Sequence, residues 1–227
     1  MQYHSTILVV IAALNEEEGI GPTLKEFQDV LRDPYLIMVD GKSVDRTIEI
    51  AKNMGANVLS QTGKGKGNAL FQGFKRINSD IEYVVFTDAD FTYPAEYVPA
   101  MLDVLDQNPD VGMVTGNRFN SHFKLSAMRN SFYIGNRVLA TAQLLLNGIS
   151  LRDPLTGLRA LRWSILKNWE PKSSGFDIEV EMNHRVENMG YDIVEIPIHY
   201  RCRLGEKKLK LRDGMMILRR IISESLK

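Results

Sequence analysis

Tyr83-Val84-Val85-Phe86-Thr87-Asp88-Ala89-Asp90 joins an apolar run of strand length to two acids separated by one small residue. Alternate side chains of an extended chain project the same way, so Asp88 and Asp90 share a direction and Ala89 leaves room for a ligand to approach. Hard carboxylate oxygens of this kind suit Mg2+ or Mn2+. A metal bound by only two protein groups keeps positions open for substrate phosphates. A solvated acidic turn after a core strand would read the same way, so the neighbouring segments must separate the two.

Upstream, Ile7 to Ala12 is a β-branched run followed by Asn15 and a set of acids that can cap a helix running towards Leu31. Tyr35 to Val39 repeats the pattern and ends at Asp40-Gly41-Lys42-Ser43, with helical periodicity from Val44 to Met54. A short third strand over Gly55 to Leu59, the loop Gln61 to Gly67 and a helix from Asn68 to Ile77 lead into the acid pair. Downstream, Pro94 starts a helix and Val111 to Thr115 is a fifth strand ending at Gly116-Asn117-Arg118. Such alternation predicts an α/β protein with a mostly parallel, Rossmann-like sheet covered on both faces. Ligands bind such sheets beyond the C-terminal strand edges, where Asn15, Asp40 and Asp88 all fall.

Past residue 120 the pattern changes. Phe123 to Asn147 is a long helical segment, Asp153-Pro154-Leu155-Thr156-Gly157 is punctuation, and Leu158 to Leu161 is a strand. Helices over Glu179 to Met189 and Asp213 to Leu226 flank a strand over Ile193 to Tyr200 that Pro197 interrupts. We read residues 1–120 and 121–227 as two functional halves of one continuous domain.

The 227 residues carry 28 basic and 28 acidic side chains, which argues against a general nucleic-acid binder. One cysteine, Cys202, cannot build an internal disulfide framework and fits a reducing cytosol. No stretch approaches the roughly 20 apolar residues of a membrane span, and the N-terminus lacks the order of a secretory signal.

Several motifs converge on the same sheet edge. Gly63-Lys64-Gly65-Lys66-Gly67 matches neither Walker A nor the dinucleotide fingerprint, yet its glycines and lysines suit a diphosphate clamp as well as they suit a basic surface loop. Asp40 can accept from a base or ribose, or cap the next helix. Arg118 can pair with phosphate, and Arg203 and Lys208 form a late basic loop able to fold back over the edge. Glu179 and Glu181 favour the start of their helix. The four histidines show no metal-ligand spacing.

Taken in order, these segments resemble family 2 glycosyltransferases of GT-A fold, nearest to polyprenyl-phosphate sugar synthases of the dolichyl-phosphate mannose type. The resemblance rests on Ala12-Ala13-Leu14-Asn15-Glu16-Glu17, Val39 to Thr47, Gly63 to Leu70, Asp88-Ala89-Asp90, Pro94-Ala95-Glu96, Gly116-Asn117-Arg118, Asp153 to Arg159 and Gly205 to Leu209. It implies that residues 1–120 form a nucleotide-sugar-binding half, with Ala12, Leu14, Glu16, Asp40, Lys66, Asp88, Ala89, Asp90 and Arg118 binding the nucleotide sugar and Lys208 joining them from the second half. Asp88 and Asp90 would hold Mg2+ or Mn2+. On the acceptor side it implies Arg129, Asn136, Thr156, Arg159 and Arg203, with Asp90, Arg118, Arg129 and Glu181 as the catalytic set. Departures from the family pattern are Ala12 for proline, Gly41 for the second acid after strand two, Thr92 for glutamine and Lys207 for serine.

The implied activity is metal-dependent, inverting transfer of a hexose, mannose before glucose, from GDP-mannose or UDP-glucose to a polyprenyl or dolichyl phosphate in protein glycosylation. A hydroxyl acceptor served by Glu179 or Glu181 as base is the alternative chemistry, and a sugar nucleotidyltransferase or a non-catalytic binder of nucleotides or lipid phosphates the alternative classes. Apolar residues Met215 to Ile222 recur among Lys210, Arg212, Arg219 and Arg220, which suits an interfacial helix, packing on the domain or a homodimer contact. Relatives often continue into membrane helices at this point and this chain ends, so a cytoplasmic protein, peripheral on the cytoplasmic face of a membrane, is expected.

Overall fold

The computed structural model describes residues 6–76, 81–119, 131–206, 208 and 211–226. Seven strands form one sheet: β1 (Thr6–Ala13), β2 (Tyr35–Asp40), β3 (Asn57–Ser60), β4 (Ile81–Asp88), β5 (Val111–Asn117), β6 (Arg159–Arg162) and β7 (Asp192–Pro197). Their order is β3-β2-β1-β4-β6-β5-β7. Every pairing is parallel except those of β6, which runs antiparallel between β4 and β5. The sheet therefore continues across residue 120, with β6 and β7 completing what β4 and β5 begin.

Helices cover both faces because β1 is apolar on both. Val9 and Ile11 point into a core with Leu24, Phe27, Met101 and Leu105, from α1 (Glu17–Val30) and α4 (Val98–Gln107). Leu8 and Val10 point the other way, towards Phe74 of α3 (Lys66–Lys75), Leu166 of the short α6 (Trp163–Leu166), Trp169, and Met182 of α7 (Ile178–Asn188). A small third cluster joins Leu139 of α5 (Ser131–Asn147), Val180, and Ile217 and Ile221 of α8 (Leu211–Glu224).

Element ends differ from the sequence reading where side chains rather than periodicity set them. The helix expected from Val44 is α2 (Thr47–Asn53), because Asp45 Oδ1 accepts from the Thr47 amide at 3.0 Å and holds the preceding residues in a loop. The last strand stops at Pro197, three residues short of Tyr200. Of the long helix expected from Phe123, residues 123–130 lie outside the described residues.

The chain runs outward from β1 to β3 and returns to β4 on the other side of β1, placing a topological switch point at the ends of β1 and β4. In register, Ala12 faces Asp88 on one side while Ala13 faces Asp40 on the other. Asp40 and Asp88 thus flank one strand, about 10 Å apart at the usual strand spacing. Gly19 brings α1 against this edge: a Cβ there would lie 2.5 Å from the Ala89 carbonyl oxygen and 2.7 Å from Asp90 Cα. Gly21, two residues on, would meet only Ile50 Cγ2 at 3.3 Å.

Gly19→Ala should therefore destabilise the protein by about 1–3 kcal/mol, lowering Tm by roughly 2–4 °C per kcal/mol for a chain of this size. Gly21→Ala should be neutral or gain a few tenths of a degree or more from helix propensity. Equal melting of the two variants in thermal unfolding would contradict the close-approach role of Gly19.

Candidate functional site

The side of the edge nearest β2 is built by two loops bonded to each other. Asn15, at φ 49, donates its amide to Ser43 Oγ at 2.8 Å and accepts the Val44 amide on Oδ1 at 2.8 Å. The Glu16 amide donates to Thr47 Oγ1 at 2.8 Å. Buried Asp40 accepts the amides of Lys42 at 2.8 Å and Ser43 at 3.1 Å, so it fixes the loop that it also faces. Leu14 and Val44 keep exposed apolar surface beside it.

At the acid pair, each carboxylate already has its own cation. Lys66 Nζ lies 2.6 Å from Asp88 Oδ1 and 2.8 Å from Glu179 Oε1. Burial alone would lower the Lys66 pKa, but the two acids outweigh it and hold the ammonium well above its usual range. Arg203 bonds Asp90 Oδ2 at 2.8 Å and Glu16 Oε1 on its other nitrogen. Thr92 Oγ1 donates to Asp90 Oδ1 at 2.6 Å. Burial raises Asp90, and repulsion from Asp88 adds to it. Burial also raises Glu16, to about 7, against the opposing pull of Arg203.

The Gly63 to Gly67 loop supplies Lys66 rather than a bare anion cradle. Gly65 sits at φ 88, and a Cβ there would be 2.3 Å from the Ser174 carbonyl oxygen. The amides of Gly67 and Asn68, at the start of α3, donate to the carbonyls of Gly175 and Ser174. Those helix-start donors are committed to protein acceptors.

Across the acid pair from Asp40, Arg118 is held by buried Asp153: Nε to Oδ2 and Nη2 to Oδ1, each 2.7 Å. Its plane lies 5.4 Å from the Tyr200 ring centre and 5.3 Å from that of Phe119. Asp153 is set in turn by Glu195, which accepts the amides of Arg152 and Asp153 at 2.8 Å. Tyr93 Oη accepts the Gly157 amide at 2.7 Å, and a Cβ on Gly157 would stand 2.7 Å from Asp88 Oδ2. The Thr156-Gly157 turn thus abuts the acid pair.

The remaining residues expected to meet the acceptor, together with Glu181 and Lys208, are placed as follows. Arg159 is buried, with Nε on the Thr156 carbonyl, Nη2 on the Pro154 carbonyl and Nη1 on Asn183 Oδ1, so it anchors the turn from beneath. Asn136 is buried beside the Arg152 carbonyl. Glu181 accepts the amides of Lys172 and Ser173 at 2.8 and 2.6 Å, which fixes the loop before α7. Arg203 stands between Glu16 and Asp90, and Lys208 Nζ bonds the Asn15 carbonyl at 3.2 Å. Arg129 lies outside the described residues.

Sequence reasoning gave Glu179 only a helix-dipole role or that of an alternative base; it is the acid tied through Lys66 to Asp88. It read Asp153 as punctuation and Thr92 as a departure, although both orient a site side chain. The Asp-Pro and Asp-x-Thr spacings were the available signals.

The donor set fits a divalent ion. Asp88 and Asp90 leave one strand end together, two hard carboxylate donors of the kind Mg2+ and Mn2+ take. Among the described residues no three acidic, histidine or cysteine side chains are grouped to hold an ion.

Residues 8–169 match the family model described as glycosyl transferase family 2. The chain is 37% identical over 205 residues to a dolichyl-phosphate hexose transferase of Haloferax volcanii, covering 89% of this chain and 86% of that protein. Identity is 28% over 214 residues with the undecaprenyl-phosphate mannosyltransferase of Micrococcus luteus, at 89% and 87% coverage. With the dolichol-phosphate mannosyltransferase of Pyrococcus furiosus it is 27%, across 95% of this chain and 62% of that one. Glucosyl-3-phosphoglycerate synthase of Mycobacterium tuberculosis, in complex with Mg2+ and UDP, superposes with a TM-score of 0.76 at 24% identity, over 98% of this chain and 79% of that one. The same enzyme with Mn2+, UDP-glucose and phosphoglyceric acid gives 0.76 at 22% identity, over 98% and 80%. These superpositions establish the GT-A arrangement of the sheet. By the match across residues 8–169 and the relatives that span nearly its whole length, the chain belongs to glycosyl transferase family 2.

Proposed function

We propose that this glycosyltransferase moves a hexose, mannose in preference to glucose, from a nucleoside-diphosphate sugar to a polyprenyl phosphate, with inversion and with a divalent ion at Asp88 and Asp90. The observation that carries the reading is the acid pair at the switch point. The Asp40 loop lies on one side of it, and the Arg118–Asp153 pair with the Thr156-Gly157 turn on the other. The polyprenyl-phosphate activities in the names of the Haloferax and Micrococcus relatives support the acceptor.

A bound Mg2+ or Mn2+ would stabilise the charge that develops on the departing diphosphate. The chain's own residues do the rest. Asp40, Leu14 and Glu16 bind the nucleoside end. Lys66 holds Asp88 in place, and Thr92 holds one oxygen of Asp90. A phosphate monoester has a second pKa of about 6 and is largely dianionic near neutral pH, so its oxygen can attack the anomeric carbon without a strong base. The bond from that carbon to the diphosphate oxygen breaks as the new one forms on the opposite face. Arg118, oriented by Asp153, offsets repulsion between the two phosphate-bearing substrates. Glu181 bonds two backbone amides and Glu179 pairs with Lys66, which favours a phosphate acceptor over a hydroxyl needing either acid as base.

A membrane surface would present such an acceptor. No helix among the described residues is long and apolar enough to cross a bilayer. α5 exposes Ile134, Val138 and Leu145, and α8 exposes Met215, Leu218 and Ile222, both at helical spacing beside exposed Arg137, Arg212 and Arg219. Such stripes suit peripheral contact with anionic lipid.

Labelled sugar should pass from GDP-mannose to a polyprenyl phosphate in the presence of Mn2+ and stop on chelation with EDTA; transfer that ignores EDTA would refute the metal. Asp90→Asn should cut kcat on the order of 10²–10³-fold, the cost of losing one pre-organised charge-stabilising group, with an unchanged far-UV spectrum. Val138→Glu with Ile222→Glu should weaken flotation with anionic vesicles at least several-fold while transfer to a short, water-soluble polyprenyl phosphate persists. Unaltered flotation would refute the membrane face.

A further inference from the structure

The turn that carries the second acid is held in a conformation its sequence does not favour. Phe91, directly after Asp90, has φ 64. Asn15, Asp33 and Asn168 also show positive φ, but their short polar side chains tolerate the left-handed region, whereas a bulky aromatic adopts it against its steric preference. A residue in that state persists where its surroundings over-determine it, and such residues gather at functional sites. Here the turn closes on Asp90 itself: Oδ1 accepts the Thr92 amide at 3.2 Å and the Thr92 hydroxyl at 2.6 Å.

Three sets of contacts impose the turn. From the segment after β7, the Arg201 amide donates to the Thr92 carbonyl at 3.0 Å and the Leu204 amide to the Asp90 carbonyl at 3.1 Å. From α1, Gly19 lies against Ala89 and Asp90. The third set acts on the Phe91 side chain. The Arg201 guanidinium lies 4.4 Å from the centre of the Phe91 ring, and its Nη2 donates to Glu26 Oε1 at 2.7 Å. Glu26 follows Gly19 by two helical turns, so the helix that touches the backbone of the turn also anchors the cation on its ring. Arg201 Nη1 is buried without a hydrogen-bond partner among the described residues. The guanidinium is therefore placed by the ring and by Glu26 rather than by a full set of acceptors.

We infer that the Arg201–Glu26 pair is a positioning clamp for the metal station: it holds Phe91 in the left-handed conformation that turns the Asp90 carboxylate back onto Thr92. The inference rests on the reading of Asp88 and Asp90 as that station. Neither Arg201 nor Glu26 touches a substrate; both act through the backbone of residue 91. Charge and clamp make opposite predictions for Arg201. Loss of a cation near two acids would tighten divalent-ion binding by charge alone, whereas loss of the clamp lets the turn relax and weakens it.

Mn2+ affinity of the full chain, measured by calorimetry alone and with GDP or UDP present, separates the two. Arg201→Met should bind Mn2+ on the order of tenfold more weakly, the factor expected if the left-handed turn falls to about a tenth of the population. Arg201→Lys, still able to pair with Glu26 over the ring, should bind as wild type does. Phe91→Gly in the Arg201→Met background should restore affinity, because glycine reaches positive φ at no steric cost, and Phe91→Ala in that background should not. With Arg201 intact, Phe91→Ala should bind weakly and Phe91→Gly close to wild type, a comparison that holds even if Arg201→Met does not fold. Unchanged or tighter binding by Arg201→Met overturns the clamp, and so does equal binding by Phe91→Ala and Phe91→Gly. Asp90→Asn should lose Mn2+ in every case; undiminished binding there removes the metal station, and the clamp's role with it.

Discussion

Two carboxylates leave the end of β4 within two residues of each other, and burial gives their mutual repulsion weight. At the ~6–7 Å between alternate residues of a strand, two charges repel by roughly 2–3 kcal/mol in an effective dielectric near 20. The chain answers with cations drawn from distant segments: Lys66 from the start of α3 for Asp88, and Arg203 from beyond β7 for Asp90. Glu179 and Glu16 then share those cations, which ties α7 and the β1–α1 loop to the same point. Removing one partner of a partly buried pair leaves the other uncompensated, so these four segments hold their positions together.

Close backbone approach makes that arrangement reachable. α1 comes within contact of Ala89 and Asp90 because residue 19 has no side chain. The start of α3 reaches the 173–175 backbone because residue 65 adopts a positive φ against the Ser174 carbonyl. A glycine and lysine loop that reads as a phosphate cradle instead works as a hinge-free joint between two helices, delivering one lysine to the acids. The two roles leave the same trace in a sequence, since both ask for residues without Cβ and a nearby positive charge.

The strand and helix alternation, the switch-point edge and the acid pair were legible in the sequence because each rests on local order: apolar runs of strand length that end in polar residues. The inserted antiparallel β6 was visible only as four apolar-flanked residues, and nothing local gives its direction or its place between β4 and β5. Partner choice was less legible still. Arg203 reads as an acceptor-side cation, yet 187 residues separate it from Glu16, and only the fold decides which acids it meets. Arg159 looks like a ligand-facing arginine after a turn, but it is buried, because Thr156, Pro154 and Asn183 together satisfy its guanidinium more fully than water at the edge would.

Three acids at alternate positions of one helix start divide the labour of the late half. Asp177 pairs with Arg220 of α8 at 3.1 Å, Glu179 with Lys66 beside Asp88, and Glu181 with the backbone amides before the helix. Arg220 also comes within 3.9 Å of Glu181, so α8 is held to α7 by charge as well as by Ile217 and Ile221. The helix proposed to meet lipid is therefore fixed to the same two-residue span that fixes Lys66. An acceptor with its tail in a bilayer needs its phosphate brought to the anomeric carbon within a few tenths of an ångström, since orientation supplies much of the rate in a displacement of this kind. A flexible attachment of α8 would give that precision away. The Asp177–Arg220 and Glu179–Lys66 pairs, two residues apart on α7, are what a rigid registration between lipid surface and donor site requires.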